Sequence, residues 1–304
     1  MSKVLYFVLS FFLLTSFASA RENVDVISRY SPATAVSEIM FQIIKKLNDS
    51  QEKYTFRYVH VPGANGESAA LTSLEQARSG KKILWFGAIS TFTLSAEDKN
   101  IVAVRNWTMN DFTFISGVST SNFAVLVDPK SGINNVQELV ERLRKKDRVF
   151  SGNTVSTNSS PFLFRLFVEH YGLADKSTFI EYKNVGDVAR ATLQGELDFV
   201  VHNIADMRTL KPILLANRER IAIMPEVPAA PEVNFDNFYV STVSALAVPG
   251  RNEELVKDVS ALVAKLCIDK EIEADMHKRL YVSKLCLNQE GIVNLINEER
   301  KRLQ

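Results

Sequence analysis

The stretch from Val24 to Gly87 reads VDVISRYSPATAVSEIMFQIIKKLNDSQEKYTFRYVHVPGANGESAALTSLEQARSGKKILWFG, and its periodicity decides the fold class. Val24–Ile27 is a short apolar-rich strand. Val36, Ile39, Met40, Ile43, Ile44 and Leu47 recur at helical spacing, which predicts an amphipathic helix over 35–47. Tyr54–Val61 alternates as a strand does. From Gly66 to Ser79, Leu71, Leu74 and Ala77 share one face, and Gly80 stops the helix. Ile83–Phe86 is a fully apolar strand. The order β-α-β-α-β opens a doubly wound sheet.

The same rhythm restarts near residue 120. Phe123–Val127 is a strand ending at Asp128-Pro129, and Val136, Leu139, Val140 and Leu143 mark a helix capped by Asn134 or Asn135. Val149-Phe150 is a brief strand. Ser160-Pro161 reads as an N-cap followed by proline, opening a helix that runs to Tyr171 and stops at Gly172. Phe179–Tyr182 and Leu197–Val201 are strands around a helix from Asp187 to Gln194. After Ala245–Val248 three helices follow, at about 253–266, 270–280 and 289–303, capped by Asn252, Asp269 and Asn288.

The chain has 304 residues, 46% of them hydrophobic, with 36 Lys+Arg against 35 Asp+Glu. That length suits two domains, and the balanced charge lacks the basic stripe of a nucleic-acid binder. Residues 1–20 read as a signal peptide: Lys3, a largely apolar run from Val4 to Phe17, and the small-residue site Ala18-Ser19-Ala20. The expectation is an exported, periplasmic chain beginning at Arg21. In an oxidising compartment Cys267 and Cys286 are either a disulfide or two buried thiols.

Two α/β units with a helical tail suggest a two-lobed binding protein. In open α/β sheets ligands bind beyond the carboxyl ends of the strands. That rule places candidate ligand contacts in six loops. They are Arg29, Tyr30, Ser31, Pro32, Ala33 and Thr34 after the first strand, and Gly63, Ala64 and Asn65 in the next turn. Gly87, Ala88 and Ser90 follow the third strand. The facing unit contributes Thr157, Asn158, Ser159 and Ser160, then Tyr182 and Lys183, then His202 and Asn203.

At these loops the chain resembles the extracytoplasmic receptors of tripartite tricarboxylate transporters, the TctC or Bug family. His60-Val61-Pro62-Gly63-Ala64-Asn65-Gly66 resembles the family's R-P-G-A-G-G turn. Asp111-Phe112-Thr113-Phe114-Ile115 resembles D-F-T-P-V, and Leu126-Val127-Asp128-Pro129 resembles V-V-N-P. Tyr182-Lys183 followed by Gly195-Glu196-Leu197-Asp198 matches Y-K-G … G-Q-V-D at the same spacing, and Pro225-Glu226-Val227-Pro228 resembles P-D-V-P. The resemblance spans about 24–303. It implies a type II periplasmic-binding-protein fold, with lobe 1 at 21–121 plus 242–304, lobe 2 at 122–241, and a hinge of two crossing strands. It also implies a monomer that binds a small organic carboxylate and hands it to membrane permease subunits. A sensor presenting its closed form to a membrane signalling protein is the alternative.

The family's first loop, roughly F-P-P-G-G-x-T-D, is here Tyr30-Ser31-Pro32-Ala33-Thr34-Ala35-Val36-Ser37, without its glycines and Asp. The Asp expected before Asn203 is His202. Asn65 stands at a glycine position and is a residue type that tolerates positive φ.

The chemistry of these residues suits anion capture. The starts of helices 35–47 and 161–171 offer free N–H groups and a positive dipole end, a clamp for a carboxylate. Arg29 and Lys183 are each either a carboxylate partner or a solvated flank. Tyr30 either meets the ligand or packs in the core. His202 either donates to an acid or is structural. No H-E-x-x-H pair, G-x-S-x-G elbow or dinucleotide glycine fingerprint is present, so neither an enzyme, a metal nor a cofactor is expected.

Overall fold

A computed structural model describes residues 20–93, 105–154, 159–240, 242–280 and 282–303. The signal-peptide reading at 1–20 falls on residues outside this set, apart from Ala20. So do Thr157 and Asn158.

In the first unit, β1 (Glu22–Ser28), α1 (Ala35–Asp49), β2 (Tyr54–His60), α2 (Glu67–Arg78) and β3 (Lys82–Ala88) follow in order. β1 lies parallel between β2 and β3, with Val24 opposite both Phe56 and Lys82. β3 is buried because both faces are covered. Leu84 and Phe86 meet Ile39, Met40 and Ile43 of α1. Trp85 turns the other way, onto Ala70 and Leu74 of α2. Each such side chain stabilises by roughly 1.5–3 kcal/mol when fully buried.

The chain then runs through β4 (Phe112–Ser121) into β5 (Phe123–Val127), with Asn122 alone between them. The second unit continues with α3 (Val136–Arg144), β6 (Val149–Thr154), α4 (Ser159–His170), β7 (Ser177–Tyr182), α5 (Val185–Leu193), β8 (Val200–Asn203) and β9 (Lys211–Leu215). It returns through β10 (Val243–Pro249), α6 (Glu253–Cys267), α7 (Lys270–Leu280), β11 (Val282–Leu287) and α8 (Gln289–Leu303).

One six-stranded sheet has the order β11-β4-β10-β3-β1-β2. β5 is flanked antiparallel by β8 and β9, and β6 pairs parallel with β7. Asp198 joins these two pieces: its N–H donates to Phe150 O at 2.8 Å, and its carboxylate accepts from Phe150 N–H at 2.9 Å. The architecture is α/β, a two-lobed type II periplasmic-binding-protein fold. Two strands carry the chain between the sheets and touch where they cross. Ser121 N–H donates to Thr242 O at 3.3 Å, and the Thr242 hydroxyl donates back to Ser121 O.

Several expectations change in detail. β6 reaches Thr154, well past Phe150, because its pairing with β7 continues to Tyr182. The strand read at Leu197–Val201 is β8, shifted to Val200–Asn203 by its register with β5. β11 was not expected between the last helices; it pairs antiparallel with β4. α4 already includes Ser159, so Ser160 lies inside the first turn and does not cap it. Asn135 and Asn252 cap α3 and α6, accepting from Glu138 N–H and Leu255 N–H. Cys267 and Cys286 form a disulfide, with Cα atoms 5.8 Å apart.

Candidate functional site

Where β1 ends, Arg29 turns inward and is 5% exposed. Its Nη1 donates to Asn65 O at 2.6 Å, and its guanidinium lies 5.2 Å from the Tyr30 ring centre. Its Nε has no hydrogen-bond partner. No acidic side chain among the described residues pairs with it. A buried cation without a counter-ion is expensive, and its charge suits an anion at the end of β1.

The turn that receives Arg29 has an unusual backbone. Gly63, Ala64, Asn65 and Gly66 have φ values of 115°, 44°, 55° and 99°. At Gly66 a Cβ would lie 2.8 Å from Thr91 Oγ1 and 2.9 Å from Arg29 Cδ, so glycine alone lets the three segments meet. Asn65 adopts the positive φ expected of it. Thr91 and Ser90 lie on the 3₁₀ turn after β3, their hydroxyls buried and unpartnered. Arg105 holds this turn by donating from Nη2 to Thr91 O at 3.2 Å, while it pairs with Glu67. Burial pushes the Glu67 carboxyl upward in pKa, against the pull of Arg105.

Loop 30–34 is mostly committed to structure. Ser31, Pro32 and Ala33 are exposed. Thr34 caps α1, its hydroxyl oxygen accepting from Ser37 N–H at 3.3 Å. Tyr30 is half-buried, its hydroxyl 3.3 Å from Ser244 Oγ. Tyr58 donates to Tyr30 O at 2.7 Å, and its hydroxyl lies 2.8 Å from Ser37 Oγ. Ser37, where the family pattern has Asp, thus anchors the loop from behind.

On the facing lobe, Ser159 and Ser160 are buried at the start of α4, and the Ser160 hydroxyl has no partner. Ser151 in β6 is likewise buried and unpartnered. Tyr182 packs against Gly152, where a Cβ would come within 2.9 Å of its ring. His202 is buried, with Nδ1 3.4 Å from Asn203 O and Nε2 unpartnered. Its ring stacks on Phe123 at 6.3 Å. Burial pushes its pKa below the ordinary imidazole value, and Asp206 pulls the other way.

The two sides meet at the start of α1. Asn203 Oδ1 accepts from Ala205 N–H at 2.9 Å, shaping the 3₁₀ turn Ile204–Asp206. Ala205 packs into the same apolar cluster as Ala35 and Val36. Asp206 Oδ1 then accepts from Ala35 N–H at 3.3 Å. The expected clamp of two free helix starts is therefore altered: the α1 start already holds a carboxylate of the chain itself.

Of the residues singled out by sequence, Arg29, Tyr30, Asn65, Ser90, His202 and Asn203 converge on the strand ends. Ser31, Pro32, Ala33, Gly63, Ala64 and Lys183 are exposed. Gly87 backs onto Trp85, whose ring atoms lie 2.3 Å from a Cβ built there, so this glycine serves packing. Ala88 is buried. Thr91, Arg105, Glu67, Ser244 and Asp206 were not anticipated. Asp206 meets its partner 171 residues away, a contact that no local pattern announces. A surface hollow of about 350 Å³ between Arg78, Lys81 and Asn252 lies at the opposite ends of the strands.

A family model described as Tripartite tricarboxylate transporter family receptor matches residues 89–303. No curated protein matches the sequence. Among solved structures, MatC from Rhodopseudomonas palustris with bound malate superposes with a TM-score of 0.76 at 17% identity, covering 93% of this chain and 98% of that one. A second R. palustris protein, with adipate, gives 0.78 at 14% identity, covering 94% and 95%. The periplasmic binding protein BugD gives 0.77 at 16% identity, covering 92% and 95%. At these identities the likeness establishes the fold.

Proposed function

The chain belongs to the tripartite tricarboxylate transporter receptor family, and on that premise we propose that it captures a small organic carboxylate between its lobes and delivers it to membrane permease subunits. The observation that carries this reading is Arg29, a buried guanidinium without an acidic partner at the carboxyl end of β1. A carboxylate on Arg29 satisfies the unpaired Nε–H and neutralises the buried charge through a charge-assisted hydrogen bond. The malate and adipate held by two proteins of this fold support the same ligand class.

Lobe 1 comprises 21–121 and 242–304, and lobe 2 comprises 122–241. They close by rotation about the Ser121–Thr242 crossing, biased by ligand contacts made only when both lobes meet. The protein works as a periplasmic monomer after cleavage of residues 1–20. No helix among the described residues is long and apolar enough to cross a membrane.

Isothermal titration of the purified protein with short mono- and dicarboxylates and their amides tests the reading. Binding of acids but not of amides is expected, with loss of binding in Arg29→Gln. Equal binding of amides overturns it. N-terminal sequencing of the exported protein is expected to start at Arg21.

A further inference from the structure

We propose that the solute carries a single carboxylate, and that Asp206 is the specificity-determining residue that rejects a second one. This inference rests on the cleft being a carboxylate site.

The charges at the strand ends are few. Arg29 is buried and unpaired, and it is the one buried cation among the described residues. Asp206 is half-buried at the junction of the lobes, Arg105 is taken up by Glu67, and Lys183 and Arg208 are exposed, Arg208 donating from Nε to Ala205 O. Buried polar groups without a partner at these ends are neutral, among them the hydroxyls of Ser90, Thr91 and Ser160 and the imidazole of His202. One solute carboxylate neutralises Arg29. A second finds no buried cation to meet it, and a desolvated anion without a counter-charge is strongly disfavoured.

The start of α1 is the obvious remaining seat for a carboxylate on lobe 1, because helix N-termini attract anions. Two groups of the chain occupy it. The Thr34 hydroxyl accepts from Ser37 N–H, and the Asp206 carboxylate, reaching across from the other lobe, accepts from Ala35 N–H at 3.3 Å. A second solute carboxylate brought to this seat lies beside a like charge, and the repulsion grows as closure excludes water. Asp206 also belongs to the turn built on Asn203, directly after β8, so its position is set by the same strand end that presents His202. The carboxylate therefore acts as built-in discrimination against dianions, a repulsive element of the kind that specificity requires. The neutral hydroxyls and imidazole are left for the uncharged body of the solute.

The test uses pairs of equal chain length, hexanoate with adipate and butanoate with succinate, together with lactate and malate. Each is titrated into the wild-type protein and into Asp206→Asn at pH 7.5. Asparagine keeps an oxygen acceptor for Ala35 N–H and removes the charge. The wild type is expected to bind the monocarboxylate of a pair at least about tenfold more tightly than the dicarboxylate. Asp206→Asn is expected to shrink that ratio, mainly by tightening the dicarboxylate. Equal or tighter dicarboxylate binding by the wild type, or an unchanged ratio in Asp206→Asn, overturns the proposal and leaves the carboxylate reading intact. Failure of every acid to bind overturns both.

Discussion

Arg29 donates from Nη1 to the carbonyl of Asn65 at 2.6 Å, and this hydrogen bond ties the end of β1 to a turn held at four consecutive positive φ values. Among the described residues it is the only hydrogen bond of a guanidinium that is buried without a counter-ion. Such a group destabilises the unliganded fold while it serves binding. Arg29→Met is therefore expected to be more stable than wild type without ligand, by about 1 kcal/mol or more, and to lose its response to carboxylates. Chemical denaturation with and without added acids measures both effects. A less stable variant that still responds to acids contradicts the assignment.

Ala64 sits at φ 44°, a region where a Cβ is strained. Ala64→Gly removes that strain and is expected to raise stability by roughly 1 kcal/mol, read as a shift in urea midpoint at constant slope. A loss of stability would mean that the greater chain entropy of glycine in the unfolded state outweighs the relief.

His202 is held neutral by burial, with its pKa below the ordinary value. The unfolded chain binds a proton that the folded one refuses, so stability falls as pH drops through the unfolded-state value of about 6.5. The slope contributed is at most about 1.4 kcal/mol per pH unit. It ends below the folded-state pKa, where both states are protonated. Asp206 opposes the shift and limits its width. His202→Asn is expected to flatten the stability profile between pH 6.5 and the folded-state pKa. An unchanged profile excludes His202 as its source.

The Cys267–Cys286 bond links the end of α6 to β11 across a separation of 19 residues. Closing a loop of this size is worth about 3 kcal/mol through the unfolded state. Cys267→Ser with Cys286→Ser is expected to melt lower by a matching amount, and reductant should lower the wild type alone. Equal melting of the two proteins under oxidising conditions would show that the bond contributes nothing.

The repeating strand–helix pattern was legible because α1 and β3 bury regular faces that periodicity exposes, and because Asn135 and Asn252 sit where helix caps must. β11 was not legible. Val282–Leu287 has little alternation of its own and is fixed by pairing with β4, a contact far away in sequence. The Ser160 cap failed because α4 begins at Ser159, two residues before the start that the proline signal suggested.

At the site, the strand-end rule found the right loops, but not which side chains turn inward. Arg29 looks in sequence like any loop arginine, and only packing beneath Gly66 and Thr91 buries it. The Asp206–Ala35 contact needs both lobes in place before it exists.

The strand order of the larger sheet has a consequence for how the chain assembles. β3 takes its antiparallel neighbour β10 from the far side of the whole second unit, whereas β5, β8 and β9 lie within one continuous segment. As the chain emerges from its N-terminus, the second unit can complete its pairing while Trp85 and its neighbours still wait for a partner. Late, long-range closure of this kind slows folding and leaves an apolar edge open to aggregation. Pulse-labelled hydrogen exchange during refolding should then protect amides of β5 and β8 before those of β3, and the reverse order would place nucleation in the first unit.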